Sequence, residues 1–149
     1  MVIRNVYIVY GPPASGKSTY VREHKKKGDL VVDFDLIKQA ISMNGKTEDI
    51  CGLYNVAEGI REYLLTLIES RKINCANAWV IGSLADAAER IALKCRLKGE
   101  LIYMNTTKEQ CVARAIKDEE RLDKELQLKI IDKWFENYTT AAIYTKERW

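Results

Sequence analysis

The chain has 149 residues, 47% of them apolar and 30% charged, and a formal net charge of +3. This is the balance of a globular chain able to bury one core, most simply as a single domain over residues 1–149. The charge is too small to give bulk affinity for nucleic acid, so such binding would need a local basic patch. No apolar stretch is long enough to span a bilayer, and Met1-Val2-Ile3-Arg4 runs straight into a strand pattern, so neither a signal peptide nor a membrane partner is expected. Cys51, Cys75, Cys95 and Cys111 have neither metal-ligand nor redox spacing, and there is one histidine. A zinc site is therefore not expected, and the thiols read as reduced, mostly core-facing and cytoplasmic.

In chain order, residues 6–10 (Val-Tyr-Ile-Val-Tyr) read as a strand and 17–27 as a helix that Gly28-Asp29 breaks. Leu30-Val31-Val32-Asp33 is a short buried strand. A helix follows over 35–43, with Leu36, Ile37, Ala40 and Ile41 on its apolar face, and then the turn Asn44-Gly45-Lys46. Leu53, Ala57, Ile60, Leu64, Leu67 and Ile68 recur at helical spacing and predict a long helix over 48–71. Residues 78–81 form the next strand, 85–98 a helix that stops before Gly99, and 101–104 a fourth strand. Thr107-Lys108-Glu109-Gln110 has the form of a capping box. Polar residues 117–124 interrupt the helix it starts. Leu126, Ile130, Ile131, Trp134 and Phe135 then mark a last amphipathic helix. Alternating strands and helices predict an α/β fold, a parallel sheet with helices on both faces. Ligands bind such sheets beyond the carboxyl ends of the strands. The loop after the first strand, Asp33 to Asp35, Gly82-Ser83 and Asn105-Thr106 should therefore share one rim.

The loop after the first strand reads Gly11-Pro12-Pro13-Ala14-Ser15-Gly16-Lys17-Ser18-Thr19, a complete Gly-x-x-x-x-Gly-Lys-Ser phosphate loop between strand and helix. Its backbone N–H groups converge where the helix N-terminus adds about half a positive charge. Pro12 and Pro13 donate no hydrogen bond, so the cradle falls to Ala14, Ser15, Gly16, Lys17, Ser18 and Thr19, with Gly11 at its entrance. Lys17 is expected on the β- and γ-phosphates of a nucleoside triphosphate, and Ser18 on Mg²⁺. A plain glycine turn is the bland alternative.

Around the rim, Asp35 is a candidate base for an acceptor hydroxyl and Asp33 a candidate for ordering Mg²⁺ through water; either also suits the role of helix N-cap. Lys38, one turn after Asp35, is a candidate for an acceptor phosphate or a solvated lysine. Arg114, Lys117 and Arg121 cluster where the last two helices meet, either to neutralise charge on a transferred phosphoryl group or to pair with Asp118, Glu119, Glu120 and Asp123. Arg22, His24 and Lys25 to Lys27 read as helix C-terminal cations, with nucleic-acid contact as the alternative. Trp79 and Trp134 read as core; Tyr138, Tyr144 and Trp149 in the tail are open. The third strand ends in Gly82-Ser83, where many phosphate-loop proteins place a metal-holding Asp.

With those residues in place, the chain resembles the small P-loop kinases, and among them the kinase domain of phage-type polynucleotide 5′-hydroxyl kinases. The likeness rests on residues 11–19, on Asp33-Phe34-Asp35-Leu36-Ile37-Lys38, and on Cys111-Val112-Ala113-Arg114 with the charged residues after it. It implies the three-layer P-loop NTPase fold with a small lid near 114–124. Asp35 is then the general base, Lys17 and Arg114 or Arg121 stabilise the transition state, and Ser18 ligates Mg²⁺. Lys38 stands where that family has an acceptor-binding Arg, which loses the bidentate fork.

The expected function is phosphoryl transfer from Mg·ATP to a hydroxyl acceptor, best a nucleic-acid 5′-hydroxyl. A nucleoside or nucleotide kinase is the alternative. An ATP-binding regulator or weak ATPase is the reading from another class, supported by the missing strand-three carboxylate. No guanine-reading Asn-Lys-x-Asp segment is present, which ranks a GTPase low.

Overall fold

The computed structural model describes residues 3–138. Tyr144 and Trp149 lie outside the described residues. Within them the order is β1 (Asn5–Tyr10), α1 (Lys17–His24), β2 (Leu30–Asp33), α2 (Phe34–Ser42), α3 (Tyr54–Ser70), β3 (Asn77–Gly82), α4 (Ala87–Leu97), β4 (Glu100–Tyr103), α5 (Lys108–Lys117) and α6 (Lys124–Asn137).

The four strands make one parallel sheet in the order β2-β3-β1-β4. Successive side chains alternate between its faces. Val6, Ile8, Val32, Ala78 and Val80 pack on one face with Leu65 and Ile68 of α3 and Leu97 of α4. Val9, Trp79 and Ile81 pack on the other with Val21 of α1. Burial on both faces explains the near-continuous apolar runs of β1 and β3. Trp79 and Trp134 are both buried, as expected. A third cluster, Cys111, Ala115 and Ile131, joins α5 to α6 and takes in Ala14 of the phosphate loop. The α5–α6 pair is thereby packed against the loop.

The structure corrects three expectations. First, α1 stops at His24, three residues before the predicted end. Asp29 accepts from Lys26 N at 2.9 Å, from Asn77 Nδ2 and from Trp79 Nε1, which folds the turn and ties it to β3. Lys25 to Lys27 therefore lie beyond the helix, and its last-turn cations are Arg22 and His24. Second, α3 begins at Tyr54 rather than 48, after a 3₁₀ turn at Cys51–Leu53. Asp49 Oδ1 accepts from Cys51 N and Tyr54 Oη, and this local arrangement displaces the helix start. Third, only Cys75 and Cys111 are buried; Cys51 and Cys95 are exposed, and all four are free thiols. Among the described residues no helix is long and apolar enough to cross a membrane.

The predicted capping box is present, with the Thr107 hydroxyl accepting from Gln110 N and the Gln110 side chain accepting from Thr107 N. The polar interruption falls between α5 and α6, whose first turn is capped by Asp123.

Candidate functional site

β1 delivers the chain to the phosphate loop at the centre of the sheet. Tyr10 O accepts from Met104 N, which holds the segment after β4 beside the loop. Contact there is close: a Cβ on Gly11 would lie 3.0 Å from Met104 Cβ. Ala14 has φ 61° and Gly16, the N-cap of α1, has φ 93°. Left-handed positions of this kind turn successive N–H groups toward one concavity, a ready anion site at a helix N-terminus.

Ser15 O accepts from Thr106 Oγ1 at 3.1 Å and from Arg114 Nη1 at 3.0 Å, so the segment after β4 and α5 both brace the loop. The Ser15 hydroxyl is buried and finds no hydrogen-bond partner among the described residues. Lys17 Nζ folds back onto Gly11 O (2.7 Å) and Pro12 O (2.9 Å). Burial pushes its ammonium down to about 8, against the pull of Asp35 and Asp33, and the nearby charge of Arg121 adds to the push. A cation so placed gains from any anion that enters.

Ser18 Oγ donates to Asp33 Oδ2 at 3.3 Å, and Asp33 Oδ1 accepts from Asp35 N at 3.0 Å. Asp33 is thus the N-cap of α2 as well as the neighbour of Ser18. Burial raises the Asp33 pKa, and the Asp35 charge raises it further, while its hydrogen bonds and Lys17 oppose this. Asp35 itself projects from the first turn of α2, its side chain 54% exposed, and pairs with Lys38 Nζ at 3.2 Å. Lys38 also lies over the Phe34 ring at 5.5 Å.

These groups surround a cavity of about 720 Å³. Ala14 to Thr19 line one wall, Asp33, Phe34 and Asp35 another, and Gly82, Ser83 and Met104 the strand ends between. The shared rim expected from the sequence therefore forms, with Thr106 reaching it through Ser15 O. Arg114 and Arg121 also line the cavity, whereas Lys38 and Lys117 do not. Arg121 is held by Asp118 Oδ2 (Nε, 3.2 Å) and Gln127 Oε1 (Nη1, 2.6 Å). The Arg121–Asp118 pair is the ion-pair alternative named from the sequence; the place of Lys46 in the cavity wall was not foreseen. Lys46, from the loop after α2, pairs with Asp118 at 3.5 Å, and Asp118 joins α5 to the cavity. The only signal in the sequence was the position of Lys46 in a turn following the Asp35 helix.

The donor set suits a hard cation: a hydroxyl and a carboxylate, both oxygen. Among the described residues no three His, Cys, Asp or Glu side chains converge as a metal cage. A magnesium ion commonly needs only one or two protein oxygens beside ligand phosphates. The cradle, Lys17 and the Ser18–Asp33 pair together fit a Mg²⁺-bound nucleoside triphosphate.

By sequence, the chain matches no family profile and no curated protein. By structure, it is similar to shikimate kinase from Acinetobacter baumannii in complex with shikimate, with TM-score 0.53 and 25% identity over 91% of this chain and 80% of that one. It is also similar to a gluconokinase from Sinorhizobium meliloti, with TM-score 0.53 and 16% identity over 94% and 78%. A chain of the Pnkp1/Rnl/Hen1 RNA repair complex aligns with TM-score 0.60 and 14% identity over 93% of this chain. That alignment spans 47% of the repair protein, so the chain corresponds to about half its length. The fold is that of P-loop NTPases, in its kinase form. The expected α/β class thus holds.

Proposed function

We propose that the protein is a P-loop phosphotransferase that moves the γ-phosphate of Mg·ATP to an acceptor hydroxyl. The observation that carries this reading is the placement of Asp35 on the wall of the same cavity as Lys17 and the Ser18–Asp33 pair. A nucleotide-binding loop alone needs no exposed carboxylate facing it.

In this reading the N–H groups of Ala14 to Thr19 and the Lys17 ammonium bind the donor phosphates. Ser18 and the Asp33 carboxylate beside it would hold Mg²⁺. Bound there, the ion would supply neutralisation of phosphate charge. Asp35 accepts the proton of the acceptor hydroxyl as that oxygen attacks. Lys38 orients the Asp35 carboxylate through their 3.2 Å contact, and stands ready for a phosphate on the acceptor. Arg121 and Arg114 lie on the side of α5 and α6, and their charge offsets that building on the transferred group. Residues 114–124 act as the small lid.

The acceptor we favour is a nucleic-acid 5′-hydroxyl, supported by the Asp35-x-x-Lys38 arrangement and by the likeness to a chain of an RNA repair complex. A small-molecule alcohol is the second reading, supported by 25% identity with shikimate kinase over most of both chains. Transfer of radiolabel from [γ-³²P]ATP to a panel of 5′-hydroxyl oligonucleotides, nucleosides, nucleotides and polyhydroxy acids separates the two. Label on no acceptor, with ATP still bound, would turn the reading toward a regulator or weak ATPase.

A further inference from the structure

Lys46 is the one cavity-lining cation that neither the phosphate loop nor the α5–α6 segment supplies, among the described residues. It comes from the loop between α2 and α3. A single oxygen, Asp118 Oδ2, receives both its Nζ at 3.5 Å and Arg121 Nε at 3.2 Å. Asp118 Oδ1 meanwhile accepts from Glu120 N at 3.0 Å. The two loops are also joined beside this point by Thr47 Oγ1 donating to Glu120 O at 3.2 Å.

The geometry around Asp118 is that of an anion seated between two cations in a cavity built for anions. Lys17 and Arg121 lie close enough to repel each other. The buried Ser15 hydroxyl in the same cavity still lacks a partner among the described residues. The Asp118 carboxylate thus occupies the kind of position that a ligand oxygen takes when phosphate enters. Charge-assisted contacts to phosphate are stronger than a partly exposed lysine–carboxylate pair.

We propose that Lys46 is a further phosphate-binding cation of this site, paired with Asp118 in the free protein and released from it onto a ligand phosphate. This rests on the phosphotransferase reading above. It assigns to the α2–α3 loop a part in substrate binding, and to Asp118 the part of an internal competitor.

The test is binding, measured by calorimetry on the full chain, so it does not depend on turnover. One probe is the imido analogue of ATP with Mg²⁺. The other is a 5′-hydroxyl trinucleotide added to protein saturated with Mg·ADP. Lys46→Ala should weaken at least one of them about tenfold, the low end for a charge-assisted contact because the Asp118 pair must break first. Loss confined to the first probe assigns the phosphate to the donor; loss confined to the second assigns it to the acceptor. Lys46→Arg should recover most of the loss. Asp118→Asn, which removes the competing charge, should tighten the same probe by roughly threefold or more, with circular dichroism confirming the fold. Unchanged binding of both probes to Lys46→Ala, or no tightening in Asp118→Asn, would overturn the inference while leaving the nucleotide reading intact. Failure of the wild-type chain to bind the ATP analogue would overturn both.

Discussion

The Ser18 hydroxyl donates to Asp33 across the gap between the phosphate loop and the end of β2, at 3.3 Å. The other Asp33 oxygen caps α2. One carboxylate therefore carries a structural and a proposed metal role, and its two oxygens divide them. Substitution should separate the two. Asn caps a helix about as well as Asp, so Asp33→Asn should change stability by less than about 1 kcal/mol. Losing the charge should raise the Mg²⁺ concentration needed for nucleotide binding by about 10- to 100-fold, as for groups that support a metal through water. Thermal denaturation with a Mg²⁺ titration of nucleotide binding checks both. A stability loss with unchanged Mg²⁺ dependence would leave Asp33 as a cap only.

Lys17 makes a pH prediction whose sign is fixed. Burial holds its ammonium at about 8, below the ordinary 10.5 of the unfolded chain. Between those values the unfolded chain carries the extra proton. The cost of burying the charge is therefore fully present below about pH 8 and is relieved as pH rises toward 10.5. Bound phosphate pulls the pKa back up. Nucleotide binding near pH 8.5 should thus take up protons, and affinity should fall as pH rises past 8. Calorimetry in two buffers of different ionisation heat measures the uptake. Lys17→Met should abolish it; equal heats for the wild-type chain in both buffers would contradict the proposed contact.

The parts of this molecule that could be read in the sequence are those determined within a few residues. The glycine positions of the phosphate loop, the Thr107–Gln110 box and the continuous apolar runs of β1 and β3 are all local patterns, and each appears where its pattern stands. The misplaced ends of α1 and α3 have side-chain causes. Asp29 stops α1 because Trp79, fifty positions away, donates to it. Asp49 delays α3 through Tyr54. The same limit hid the Lys46–Asp118 pair, which spans loops that only the tertiary fold brings together. Arg114 was read as a cation of a lid, but that it braces Ser15 O was not legible, because the contact joins α5 to a loop 99 positions earlier.

Asp35 decides between an enzyme and a nucleotide-binding regulator. Its side chain is half exposed and its nearest cation is Lys38. Asp35→Asn keeps the size of the side chain and removes its basicity. Phosphoryl transfer should fall at least about a hundredfold, the usual scale for a general base, with the affinity for the ATP analogue little changed. Single-turnover transfer beside equilibrium binding makes the comparison. Equal transfer rates in mutant and wild-type protein would remove Asp35 from the chemistry.

Trp134 fastens α6 to the rim. Its Nε1 donates to Ser83 O at 2.9 Å, and its ring lies among Tyr103, Phe135 and Tyr138. Trp134→Ala should cost about 3–5 kcal/mol in urea denaturation, the range for removing a large buried aromatic. Trp134→Phe keeps most of the packing and should cost nearer 1 kcal/mol, the value of the lost hydrogen bond. Equal losses in the two variants would mean that the hydrogen bond, and not the ring stack, holds α6.

One substitution made at two glycines should have opposite signs. Gly16 has φ 93°, and a Cβ there would stand 3.4 Å from Arg114 Nη1. Left-handed backbone costs a residue with a Cβ about 1–2 kcal/mol, so Gly16→Ala should destabilise the chain by that amount. It should also weaken nucleotide binding, because the N–H groups on either side turn away from the cradle. Gly59 lies on the exposed side of α3, where a Cβ meets nothing within 4 Å. There Gly→Ala should stabilise by about 0.5–1 kcal/mol through helix propensity alone and leave nucleotide affinity untouched. Urea denaturation of both variants beside binding of the ATP analogue tests the pair. A Gly16→Ala protein as stable and as tightly binding as the wild type would show that the left-handed turn is not what shapes the cradle.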